Sequence, residues 1–570
     1  MSDSHLPKNV DPTQHPDLPE EADISWNMRL WQRTRHFLIG GAKDLNDQGL
    51  FHKVALIPVL AWVGMGADGL SSSAYGPDES FRVLQHNLYL IPLVVLASMF
   101  TIFIISVAYS RVIEHFPNGG GGYVVATHLL SPGAGLVSGC ALTVDYVLTI
   151  TVSVAAGADA LFSLFPPTWQ PYKLGLELLS LLFLIIMNLR GVRESVLTVA
   201  PIFMIFVASH ILLIGSSFFV HWDQLSSVAA SVPSGLHQGI AILGLFGVLS
   251  MFMKAYAMGA GTYTGIEAVS NGLGILRAPQ VKTGKITMRY MAISLALAAG
   301  GLFLGYLIAH VQVTGDQTMN AVLAEDVFGP KGLYCGSALS HILIWVTLAS
   351  EAGLLVIAAQ TGFIDGPRVM SNMAVDGWFP KRFSGLSERF TMQNGVLVFG
   401  AASIAALLFT HGDVDILVVM YSINVFITFS LTELSMNRHY WKERHENPGW
   451  LGKIYIHVIG FCLCFSILIV MLIQKFADGG WITAVATILL IGLCVLCRRY
   501  YRGVAKRLQH LDDQLMQLHV DEPPTEAPMD PSKPTAIILV DGYNGVGLHS
   551  LFSIFQIFFP GHFKNAVFLS

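Results

Sequence analysis

The sequence predicts an all-α polytopic membrane protein of twelve transmembrane helices, followed by the opening of a cytosolic α/β domain. Three observations predict it. Of the 570 residues, 53% are hydrophobic and 12% charged, with a mean hydropathy of +0.57, whereas soluble domains carry about 25% charged residues. Apolar windows of about twenty residues recur near 54–82, 90–114, 135–165, 173–190, 196–220, 238–273, 287–311, 336–363, 395–410, 414–436, 455–475 and 481–499. The first and sixth of these are long and interrupted by glycines.

Residues 1–53 read as a cytosolic tail. The first part is rich in Pro, Asp and His and predicts disorder. Ile24 to Leu38 then places Met28 and Trp31 on one side and Arg29 with Arg33 on another. That pattern suits a basic amphipathic helix, lying either in the membrane interface or against the protein's own cytosolic face. No short apolar core precedes a small-residue cleavage site, so no signal peptide is expected.

Residues 54–500 form the expected membrane domain. An even number of spans leaves both termini on one side, and the positive-inside rule selects it. Loops on the terminus side hold Arg190, Arg193, Arg277, Lys282, Arg368, Lys381, Arg438 and Lys442, among others. The opposite loops hold Arg82, Lys173, Lys331 and Lys475. Both termini are therefore expected in the cytosol. Residues 501–534 read as a helical and then Pro- and Glu-rich linker. Residues 535–570 read as a strand, a glycine-rich turn at Asp541–Gly547, a helix at Leu548–Phe559 and a second strand from Ala566. The chain ends as that strand begins, as a truncated domain would.

Several segments carry polar groups that hydrocarbon does not normally admit. In the first span, Gly64, Gly66, Asp68 and Gly69 precede a run of serines, Tyr75 and Pro77. Glycine is a poor helix former, so the helix is expected to unwind around Gly64–Gly69. An ionisable residue at that depth is by default a substrate or ion site. In the third span Asp145, Thr149 and Ser153 recur every fourth residue and share one helical stripe ~12 Å long. A carboxylate followed by two hydroxyls suits a cation, unless the hydroxyls bond back to their own helix. The sixth span repeats the grammar in GAGTYTGIE, with Thr264 and Glu267 on one face. Two interrupted helices five spans apart are what an inverted five-plus-five repeat predicts, with the site at the midplane between them.

Tyr421 in the tenth span could add a phenol, although such a tyrosine more often packs. Lys254 either neutralises an acid during a cycle or, the favoured reading, pairs with Glu351 of the eighth span. Glu177 is a further intramembrane acid. His210, His310, His341 and His457 are scattered singly without ligand spacing and are expected to pack or to sit near the interfaces. No nucleophile arrangement, metal-ligand spacing or phosphate loop marks the membrane part, so neither an enzyme nor a cofactor is expected. The net charge of −5 argues against a nucleic-acid partner.

Two fixed acids with hydroxyls and bare carbonyls make an oxygen site for a positively charged substrate, and hard monovalent cations prefer such ligands. Asp68 would repel the carboxylate of an amino acid. Glu267, buried beside the site, is a natural proton carrier. The alternative is a proton- or sodium-coupled symporter for a cationic amine or amino acid, with Asp68 as counter-ion to the ammonium.

The strings GADGLSSSAYGPDE, PNGGGGYVVA, LTVDYVLTITVSVAAGADAL, MKAYAMGAGTYTGIEAVSNG and GPRVMSNMAVDGWFPKRF resemble the KimA-type potassium importers. These belong to the KUP family of the amino acid–polyamine–organocation superfamily. The resemblance covers about residues 50 to 445. It implies a LeuT-like 5+5 inverted repeat plus two spans, proton-coupled potassium uptake across a cell inner membrane, and a homodimer with a cytosolic α/β domain. Carried over, the potassium-binding set falls on Asp68, Tyr75, Asp145, Thr149, Ser153, Thr264 and Tyr421, with the ion itself held at Asp68, Asp145, Thr149 and Thr264. Glu267 takes the proton-coupling role. The resemblance promotes Tyr421, but the family's YAVGVF reads YSINVF here, with Asn424 in place of glycine.

Overall fold

The computed structural model describes residues 55–85, 87–119, 121–312, 317–329, 332, 338–446, 448–516, 533–540, 545–558, 562–563 and 565–569. The expected amphipathic helix at 24–38, nearly all of the Pro-rich linker and the first four residues of the turn expected at Asp541–Gly547 lie outside them, while Gly545 to Gly547 of that turn form the start of a helix instead. What is described is overwhelmingly helical. In chain order the helices are α1 (Pro58–Ser72), α2 (Gly76–Leu84), α3 (Ile91–His115), α4 (Gly121–Leu129), α5 (Pro132–Phe162), α6 (Lys173–Arg190), α7 (Val192–Val220) and α8 (Gln224–Met258). They continue as α9 (Ala268–Asn271), α10 (Gln280–Ile308), α11 (Met319–Phe328), α12 (Ala338–Val375), α13 (Gln393–Thr410), α14 (Val414–Lys442), α15 (Trp450–Lys475) and α16 (Trp481–Met516).

Eleven of the described helices are long and apolar enough to cross a membrane. The span expected at 54–82 is not one of them, because it is built as the two shorter helices α1 and α2. Helix starts follow local chemistry. Proline stands in the first turn of α1, α2, α3 and α5, where its missing N–H is not needed. Ser131, Thr318 and Asp413 cap α5, α11 and α14 by accepting from the backbone N–H three residues on.

The core centres on α5, whose membrane window is 89% buried inside the protein. It is flanked by α4, α12, α13 and α14, so the stripe expected to carry chemistry lies on the helix most shielded from lipid. At the terminus side, Leu56 N–H donates to the Ile275 carbonyl and Arg277 N–H to Leu56, each at 2.9 Å. This short bridge ties the start of the first span to the end of the sixth.

At the C-terminal end, β1 (Thr535–Leu539) and β2 (Asn565–Leu569) pair in parallel, joined through α17 (Gly545–Ile557). Parallel strands require such a crossover. Helix α16 runs unbroken across residue 500, where the membrane part was expected to end.

Candidate functional site

The first span does break, but at Ser73–Tyr75 and not at Gly64–Gly69. Helix α1 continues through Asp68 to Ser72. Its glycines serve close packing instead: a Cβ at Gly64 would fall 2.7 Å from Val196, and one at Gly66 would fall 2.7 Å from the Trp62 ring. Pro77 enforces the true break, since it lacks an N–H and its ring would strike a carbonyl one turn back. The serine triplet adds hydroxyl donors to the carbonyls of the last turn, one of which, Leu70, also accepts from the Ser73 N–H at 3.1 Å. Ser71, Ser72 and Ser73 Oγ donate to the carbonyls of Asp68, Gly69 and Leu70 at 2.8, 2.6 and 2.6 Å. Tyr75 sits in the gap.

The sixth span breaks as expected. Helix α8 ends at Met258, a 3₁₀ turn follows at Gly259–Tyr263, Thr264 is extended, and Gly265 takes φ +82° before the short α9. The two breaks interlock. A Cβ at Gly76 would lie 2.9 Å from the Thr262 amide nitrogen, and one at Gly265 would lie 2.9 Å from the Asp68 carboxylate. Ser72 Oγ also reaches the Thr262 carbonyl at 3.3 Å.

Around this junction the side chains gather. Tyr75 and Tyr421 hydroxyls stand 3.3 Å apart with rings crossed at 84°. Thr264 Oγ1 lies 3.4 Å from the Tyr421 hydroxyl and donates to the Gly261 carbonyl at 2.7 Å. Asp68 adjoins them through Gly265. Asp145 is close enough to interact electrostatically with both Asp68 and Glu267. All three acids are at least 95% buried, and among the described residues none makes an ion pair. Among the described residues, Asp145 Oδ1, Ser153 Oγ and Glu267 Oε2 have no hydrogen-bond partner. Ser153 thus does not bond back to its own helix. Thr149 and Ser153 lie on the same α5 stripe, one and two turns beyond Asp145, and lead toward Ala156 and Asp159 at the rim.

That rim belongs to a vestibule of about 500 Å³ on the face opposite the terminus side, with Tyr75 on its floor. Carboxylates dominate its charge. Arg82 bridges Asp78 at 3.1 Å and Asp415 at 3.2 Å, and Lys173 pairs with Asp159 and lies 3.8 Å from Glu177. Glu79 and Asp413 also line it.

The expected Lys254–Glu351 pair is absent. Lys254 is exposed, whereas Glu351 meets His210 Nε2 at 3.6 Å and accepts from Asn320 at 3.0 Å. His210 and His457 are likewise not mere packing residues: His457 Nδ1 lies 2.6 Å from Glu433 Oε2, both fully buried. Sequence reasoning also missed Gln360 and Asp365 on α12. Both are fully buried, with polar atoms that have no hydrogen-bond partner among the described residues, and Asp365 interacts electrostatically with Arg368, Glu267 and Asp68. An acid inside an apolar helix was the available clue.

Residues 61–494 match the amino acid permease family. The chain is 29% identical over 494 residues to the potassium transporter KimA of Bacillus subtilis (strain 168), covering 85% of this chain and 77% of that one. Two solved structures are also similar. One is a Na+-coupled sialic acid symporter, 11% identical, covering 77% of this chain and 92% of that one, at a TM-score of 0.41. The other is the manganese transporter of Eremococcus coleocola, 14% identical, covering 81% and 99%, also at 0.41.

Proposed function

This chain belongs to the amino acid permease family, and on that premise we propose that it is a secondary transporter that imports potassium in symport with protons. The observation that carries the reading is a pair of buried acids, Asp68 and Asp145, close to each other and unpaired with any cation among the described residues. The hydroxyls of Tyr75 and Tyr421 are close enough to interact electrostatically with Asp68, Thr264 precedes the Gly265 that packs on it, and Thr149 and Ser153 extend the set along α5. Uncompensated buried charge is costly, and a dehydrated monovalent cation offsets it without the crowded cage of a divalent site. Similarity to a potassium transporter supports the same cargo.

In this reading Asp68, Asp145, Thr149 and Thr264 hold the ion, with Tyr75 and Tyr421 closing it off from the vestibule. Glu267, whose free Oε2 faces no partner, carries the coupled proton. The arrangement proposed is a LeuT-like 5+5 repeat plus two spans, the split first span completing twelve, with both termini in the cytosol of an inner membrane and two copies assembling as a homodimer. A membrane potential contributes about 2.3 kcal/mol per charge per 100 mV, roughly fiftyfold accumulation, and the proton supplies steeper gradients.

Rubidium uptake into proteoliposomes, with and without an imposed inward proton gradient, tests it. Uptake that rises with the gradient is the expected result. Uptake indifferent to the gradient removes the proton, and labelled amine uptake that potassium does not compete with removes potassium.

A further inference from the structure

The outer vestibule holds a cluster that the potassium site does not use. Glu351 of α12 borders the cavity although it is 1% exposed. Among the described residues, the only basic side chain within ion-pair distance is His210 of α7, with Nε2 3.6 Å from Oε2. The surrounding groups fix each other's hydrogen-bonding roles. The Tyr306 hydroxyl donates to Asn320 Oδ1 at 2.5 Å, which turns the amide nitrogen toward Glu351 Oε1, reached at 3.0 Å. On the far side, His210 Nδ1 lies 3.2 Å from the Phe206 carbonyl, which can only accept. Ser209 Oγ donates to that same carbonyl at 3.0 Å. Ser209 Oγ also lies 3.3 Å from Nδ1 and 3.0 Å from Ser350 Oγ; with its one hydrogen on the nearer Phe206 carbonyl it accepts from the ring, and we assign the ring hydrogen to Nδ1, because a bare Nδ1 would oppose the carbonyl lone pairs at 3.2 Å.

This leaves Nε2 and Oε2 facing each other, both buried and, among the described residues, neither with another partner. With no proton between them they are two opposed acceptors, one of them charged. A buried polar atom left unpaired is disfavoured by about 1–3 kcal/mol, and more if charged. One proton satisfies both. We propose that His210 and Glu351 together bind a single proton drawn from the outer vestibule, and that its occupancy sets the response of transport to external pH. The transport consequence rests on the importer reading above; the proton site itself does not.

Other groups face Glu351 across the vestibule. Asp78 and Arg82 of α2, Asp415 of α14, Asp159 of α5 and Lys173 of α6 are tied up in the ion pairs already described. His411 and Asp413 stand in the loop above, and Tyr306 of α10 lies behind Asn320. Glu79 of α2 makes no ion pair among the described residues. Releasing the shared proton therefore adds a second uncompensated carboxylate to a wall that already holds Glu79.

The test is spectroscopic first. Histidine ¹⁵N spectra and infrared spectra are recorded on the purified full chain in detergent at about pH 6. They should show the proton in one of two places: a doubly protonated His210 ring, or a protonated Glu351 carboxyl. Both signatures should vanish in Glu351→Gln, whose amide can donate to Nε2. A neutral His210 ring beside an ionised Glu351 in the unsubstituted protein would overturn the proposal. In proteoliposomes, the change in rubidium uptake between external pH of about 6 and 8 should be at least about threefold flatter in Glu351→Gln and in His210→Gln. Profiles that superimpose on the unsubstituted protein's would refute the pH role. Absence of rubidium uptake in every protein would instead count against the importer reading, leaving the spectra to decide the proton site.

Discussion

The α-carbon of Gly265 stands so close to Asp68 that a methyl group added to it would fall 2.9 Å from the carboxylate carbon and oxygen. At φ +82° the position is also one that L side chains resist. Gly265→Ala is therefore expected to displace the Asp68 carboxylate and to cost roughly 1–2 kcal/mol in backbone strain alone. Thermal unfolding and rubidium uptake measured side by side check it. A modest fall in stability with a near-complete loss of uptake is the expected pattern.

Asp68→Asn and Asp145→Asn each remove a charge while keeping shape. Hydrogen bonds to charged groups contribute about 1.5–3 kcal/mol, so apparent affinity for rubidium should fall roughly ten- to hundredfold in either variant. Neither should rescue a potassium-uptake-deficient strain at low external potassium. Full rescue by both would remove them from the site.

Tyr75 and Tyr421 share a hydroxyl contact at 3.3 Å. Tyr75→Phe and Tyr421→Phe are expected to weaken apparent affinity by roughly two- to tenfold each, the worth of a neutral hydrogen bond. Combined, the changes should be less than additive, because residues in contact couple. A double-mutant cycle on the KM for rubidium reads this directly.

Arg82 is the cation that offsets Asp78 and Asp415 at the vestibule rim. Arg82→Ala should make the vestibule more negative and lower the KM for a cation. Because the arginine is 41% exposed, the effect should shrink as ionic strength approaches about 1 M, where screening acts within about 3 Å. KM values compared at low and high concentrations of an inert salt check both the sign and the screening.

His457→Ala leaves the buried Glu433 carboxylate without its partner. Breaking a buried pair in this way typically destabilises by about 3–5 kcal/mol. Glu433→Gln, which leaves no charge behind, should lower the Tm much less.

Much of this was readable beforehand. Charge fraction and hydropathy windows located the spans because lipid leaves little compositional freedom. The polar residues on α5 were visible as a four-residue period. The position of the first break was not, because glycine has two uses inside a membrane helix. Gly64 and Gly66 admit Val196 and Trp62, while the break belongs to Pro77, with serine hydroxyls adding donors to the carbonyls of the turn before it. Asp365 was overlooked because hydropathy drops after residue 363, yet α12 carries on through Pro367 to Val375. The pairings of His210 with Glu351 and His457 with Glu433 join different helices, so no local pattern could announce them.

Residue 76 rests on the turn at Thr262, and Gly265 rests on Asp68, with no space for a single carbon between either pair. The two interrupted spans are thereby keyed into one strut, and leaning one of them carries the other along. A side chain added at either position would have to push one span off the other, so the crossing keeps its spacing only while both positions lack one.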